Sequence, residues 1–153
     1  MAGVSGGGWM SVVYPAIDAR ITEAISVAGS LPMALKLLPT EGRFRDIGDW
    51  EQNYAPFYQI ASYYELYLLS ALGDARRQTL VYNYVDPCCY SGSRAMAFLP
   101  QLERKASELH INLKGFIDRS HDKHDFSEAA ISVMIGREAD SYFRTTGTNA
   151  RAQ

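Results

Sequence analysis

The feature that most constrains this chain is the apolar spacing of Met96–Phe116. Leu99, Leu102, Ala106, Leu109, Leu113 and Phe116 recur at intervals of three and four residues. That spacing predicts one long amphipathic helix with a seam for packing along other helices. Pro100 falls in its first turn, where the missing N–H costs nothing. Gln101, Glu103, Arg104, Lys105 and Glu108 occupy the opposite side.

A second stretch, Tyr58–Leu80, has similar character. Ala61, Tyr64, Leu68 and Leu72 share a helical face, and the run ends in Gly73-Asp74 and the adjacent pair Arg76-Arg77. The spacing predicts a third helix over 57–80. Two earlier helices precede it. Pro15–Ala28 carries Ile17, Ile21, Ala24, Ile25 and Ala28 on one side, with Pro15 and Asp18 suited to a first turn. A shorter helix opens near Ser30-Leu31-Pro32 and stops at Pro39. Within it Lys36 reads as a snorkelling side chain. Thr40–Pro56 is a turn-rich connector or short strand, and Val81–Ser93 a long loop, of the kind that is usually functional or disordered. Asp118–Asp125 is a polar turn, followed by a short helix within Phe126–Tyr142. Met1–Trp9 and Phe143–Gln153 read as flexible ends.

The sum is an all-α fold: an antiparallel four-helix bundle with short terminal extensions and a long inter-helix loop at 81–93. At 153 residues, 47% of them hydrophobic, a single domain over 1–153 is the simplest organisation. The net charge of −2 leaves nucleic-acid contact to a few placed cations. The two cysteines, Cys88 and Cys89, are neighbours and cannot staple distant segments, so a reducing compartment is the simplest home. No basic and apolar leader opens the chain, and no apolar run approaches the roughly 20 residues of a membrane span.

Chemistry finds little footing on this reading. His121 and His124, with Asp118, Asp122 and Asp125, could ligate a metal, but a solvated turn explains them more simply. Gly6–Gly8 is not followed by Lys and a helix, so it is not a phosphate loop. No nucleophile elbow is recognised, and nothing activating is evident beside Cys88-Cys89. The expectation is a non-enzyme with no catalytic residue, metal or cofactor.

What remains is the guanidinium pair, whose planar forks suit phosphate. Here the chain resembles the coat proteins of rod-shaped plant viruses, the tobacco mosaic virus group. LLSALGDARRQTLV at Leu68–Val81 looks like that family's right radial helix and the turn after it. SRAMAFLPQLERKASELHINLKGFI at Ser93–Ile117 looks like the left radial helix. SHDKHDFSEAAISVM at Ser120–Met134 resembles its short C-terminal signature, although Ser127 separates Phe126 from Glu128, where the family has the pair adjacent. The resemblance implies a subunit that stacks with copies of itself into a helical virion. It would hold single-stranded RNA through Arg76, Arg77, Asp74, Arg94 and Lys36, within virions and the host cytoplasm, with no membrane partner. Two rivals stand beside it. One is a helical adaptor without nucleic acid; the other is a small metal hydrolase using His121 and His124.

Overall fold

The computed structural model describes residues 1–36, 48 and 50–134. One or more helices separate successive strands: β1 (Ala2–Val4), α1 (Gly6–Ile17), β2 (Glu23–Val27), α2 (Met33–Lys36), α3 (Ala55–Ile60), α4 (Tyr63–Leu69), β3 (Arg77–Asn83), α5 (Gly92–Ala95), α6 (Leu99–Glu108), β4 (Leu113–Asp118) and α7 (Glu128–Met134). The four strands form one parallel sheet in the order β1-β2-β3-β4.

Helices cover both faces of the sheet. Val4, Val27, Val81 and Phe116 stand in one row across the four strands. All four belong to the hydrophobic cluster that receives Phe126, Ala130 and Met134 from α7 and the loop before it. The alternate positions, Leu80, Tyr82 and Leu113, face the larger cluster. There Val12 and Val13 of α1, Leu66 and Tyr67 of α4, and Leu99, Leu102 and Ala106 of α6 pack together. Phe98 lies at its centre, 1% exposed, with Tyr64, Tyr67 and Tyr82 around its ring.

The expected four-helix bundle is therefore corrected to an α/β architecture. The physical reason is burial on both faces. A strand covered on two sides shows no alternation, so its apolar run extends the spacing of the helix beside it. The seam over Met96–Phe116 is such a composite. The helix ends at Glu108, His110 adopts a left-handed φ of 56°, and Leu113 and Phe116 belong to β4. The stretch 57–80 is divided too. Ala61 is extended, and Ser62 restarts the chain with a capping box closed by Glu65. Arg77–Leu80 opens β3. In the first segment the helix lies earlier, over Gly6–Ile17, with Pro15 close to its end, and Glu23–Val27 is a strand.

The α2 segment and α7 fall inside two regions read as helical. The expected stop at Pro39, most of the 40–56 connector, residues beyond 134 of the final helix and the tail 143–153 lie outside the described residues.

Candidate active site

In a parallel sheet every strand delivers its following loop to the same end. Here that end gathers Ser5, Asp86 and His124. Ser5 directly follows β1 and precedes α1, with φ 57° and ψ −124°. Those angles lie outside the regions open to an L residue without strain. The flanking residues make the turn possible: a Cβ on Gly3 would stand 2.3 Å from the carbonyl carbon of Gly7. Gly3-Val4-Ser5-Gly6-Gly7 is thus a G-x-S-x-G strand–turn–helix, the nucleophile elbow. It places a serine hydroxyl at a helix start. Gly6 is the first residue of α1, so its N–H has no acceptor within the helix.

Asp86 lies in the loop after β3. Its side chain is fully buried. Oδ1 accepts hydrogen bonds from the backbone N–H groups of Cys88 and Cys89, both at 2.9 Å. Oδ2 lies 2.8 Å from His124 Nδ1. His124 itself is in the loop after β4, which is tied down on both sides. Asn83, the last residue of β3 and wholly buried, donates through Nδ2 to the carbonyls of Lys123 and Asp125, at 2.9 and 3.2 Å. Asp118 accepts from the Ser120 amide and hydroxyl and from the Ser127 hydroxyl. The chain then turns back over the sheet. Phe126, two residues after His124, shares a cluster with Val4, the residue before Ser5.

The electrostatics suit a base. The Asp86 hydrogen bond raises the His124 pKa above its ordinary value; burial opposes it, and the charges of Asp86 and Asp125 add to it. With Nδ1 held by a carboxylate, Nε2 is the nitrogen left to act, and it is buried without a hydrogen-bond partner. No hydrogen bond joins it to Ser5 Oγ in this structure; such contacts often close only around substrate. His121 sits behind, with Nε2 3.2 Å from Asn83 Oδ1 and 3.6 Å from Asp118 Oδ2. Cys88 and Cys89 are joined in a vicinal disulfide beside His124.

The residues singled out for RNA are scattered. Arg76, 9% exposed, uses its guanidinium on backbone carbonyls, those of Ile21, Leu69, Leu72 and Pro15. Its neighbour Arg77 starts β3 and pairs with Glu23 at 2.8 Å. Asp74 is exposed in the turn before them. All three lie at the sheet end opposite Ser5. Arg94 is buried in α5. Lys36 does not snorkel. It is 4% exposed and its ammonium donates to the Gln52 carbonyl at 2.7 Å, beside Asn53 Oδ1 and the Tyr63 hydroxyl. Burial lowers its pKa to about 8.

No family model matches the sequence, and no curated protein matches it. Solved structures do. Est1E from Butyrivibrio proteoclasticus with ferulic acid bound superposes with a TM-score of 0.53 at 16% identity, over 95% of this chain and 59% of that one. Est1E in a second structure gives 0.52 at 16% identity, over 97% and 61%. What the chain shares with these structures is the α/β-hydrolase fold. The Pyrococcus furiosus esterase Pf2001 scores 0.46 at 12% identity, over 95% of this chain and 50% of that one. The chain thus spans about three fifths of the length of Est1E.

These findings overturn the coat-protein resemblance, the capsid reading and the expectation of a non-enzyme, and they lend no support to the helical adaptor. The elbow was open to inspection as Gly3-Val4-Ser5-Gly6-Gly7. Its Gly-rich composition reads instead as a flexible or extended end. Nothing in the spacing of Asp86 and His124, 38 residues apart, marks them as partners.

Proposed function

We propose that this chain carries the catalytic residues of a serine hydrolase acting on carboxylic esters. Ser5 is the nucleophile, His124 the general base and acid, and Asp86 the carboxylate that orients the imidazole. The observation that carries the reading is the conjunction of a strained serine at a G-x-S-x-G turn with a buried Asp–His pair at the same end of one parallel sheet. The order Ser, Asp, His along the chain is that of this fold's triads.

In the proposed reaction Ser5 Oγ attacks the ester carbonyl carbon while His124 Nε2 takes its proton. The Gly6 N–H donates to the oxygen on which negative charge develops, an interaction typically worth about 3–4 kcal/mol in a barrier. The imidazolium is stabilised by Asp86 and returns the proton to the departing alcohol. Water, deprotonated by His124, then releases the acid and regenerates Ser5.

The test is covalent labelling. A fluorophosphonate probe is expected to modify Ser5, located by peptide mass spectrometry, and p-nitrophenyl acetate to be hydrolysed. Labelling elsewhere, or hydrolysis undiminished in Ser5→Ala, would refute the assignment.

A further inference from the structure

Beside the proposed base lie two sulfurs that the hydrolytic reaction does not use. One donor atom from each of Cys88, Cys89 and His124, in the histidine one of its two ring nitrogens, lies within 4.8 Å of the other two. In a tetrahedral zinc site, neighbouring sulfur and nitrogen donors stand about 3.5–3.8 Å apart, from the usual bond lengths. One residue organises all of them: Asp86 accepts the amides of both cysteines and holds His124 by Nδ1. A carboxylate on one imidazole nitrogen is the usual outer support of a histidine that binds metal through the other. That other nitrogen, Nε2, is buried with no hydrogen-bond partner.

The geometry points to a binding site for one thiophilic divalent cation, such as zinc, formed by Cys88 Sγ, Cys89 Sγ and His124 Nε2 when the disulfide is reduced. A dithiol reductant supplies two electrons and two protons, becoming a disulfide itself while the Cys88–Cys89 disulfide becomes two thiols. Binding then releases the two thiol protons, and three lone pairs fill three metal positions. The fourth position is left for water. Occupation of Nε2 removes the lone pair that would accept the Ser5 proton, so the metal switches hydrolysis off. Binding stands on the three ligands alone; the inhibitory half rests on the hydrolase reading.

The protein is reduced, freed of reductant under nitrogen and titrated with Cd²⁺, with the thiolate-to-metal charge-transfer band as the signal. One ion per chain is expected, with the band absent from the oxidised protein and from Cys88→Ser/Cys89→Ser, retained in Ser5→Ala, and weakened in His124→Ala by more than the roughly 10–100-fold that loss of a ligand's outer support costs. No band in the reduced protein, or equal uptake by the oxidised protein, overturns the site without requiring any variant to fold. Zinc should also depress p-nitrophenyl acetate hydrolysis by the reduced protein, with recovery on adding EDTA. Full activity at saturating metal overturns the inhibitory half. Hydrolysis that survives in Ser5→Ala while that variant still binds Cd²⁺ refutes the hydrolase reading alone.

Discussion

His124 Nδ1 lies 2.8 Å from a carboxylate oxygen of Asp86, across 38 residues of chain, and the carboxylate is fully buried. This contact fixes the imidazole tautomer and sets its basicity. Asp86→Asn would keep the shape but leave the wrong nitrogen protonated. A fall in kcat on the order of 10⁴ is expected, as for other triads.

The same pair makes activity pH-dependent. His124 must be neutral to take a proton, and its pKa is raised by Asp86. Ester hydrolysis is expected to rise with pH through a midpoint above that of an ordinary histidine, roughly 6.5. Stability runs the other way. A histidine whose folded pKa exceeds its unfolded value contributes stability fully present below the unfolded pKa and lost as pH rises through the folded one. A pH–rate profile and denaturant melts over the same range check both signs.

Ser5 and Gly3 should respond oppositely to substitution. Ser5→Gly relieves the strained φ of 57° and is expected to stabilise the fold by about 1 kcal/mol while abolishing hydrolysis. Gly3→Ala drives a methyl to 2.3 Å from the Gly7 carbonyl carbon and should destabilise by about 3 kcal/mol or prevent folding. Urea denaturation separates the two.

Arg76 and Arg77 are adjacent in sequence and opposite in role. Arg76→Ala strands the carbonyls of Leu69, Leu72, Ile21 and Pro15 and should cost about 2–4 kcal/mol. Arg77→Ala removes an exposed pair with Glu23 and should change stability by no more than about 0.5 kcal/mol. Equal effects would show that the buried guanidinium is not a structural clamp.

Lys36 provides a separate pH signature. Its pKa falls to about 8 in the folded chain, by burial. Between that value and the ordinary 10.5 the unfolded chain binds more protons, so this group's contribution to stability rises with pH. Lys36→Met should abolish that rise, measured as the difference between the two proteins' unfolding free energies from pH 7 to 10. An unchanged difference would place the ammonium in water.

Local signals in the sequence mark several pieces correctly. Leu99, Leu102 and Ala106 do form the buried stripe of a helix, and Val81–Ser93 does contain a loop, which carries Asp86. The Ser62–Glu65 capping box and the elbow motif were legible as well, though the helical pattern masked the first and glycine's reputation for flexibility the second. The sheet was not legible. Ile25, Val27, Leu80 and Val81 are apolar whichever face they occupy, because helices cover both sides and remove the alternation that would reveal a strand.

By itself, then, the sequence determined the local rules: where helices start, which residues avoid water and where a backbone can turn sharply at Ser5. Only the tertiary structure decided what those parts do together. Asp86 and His124 meet because β3 and β4 run parallel and release their loops at one end, and because Asn83 pins the histidine loop across that end. Such partnerships depend on contacts between segments far apart in the chain, and no periodicity within a segment encodes them.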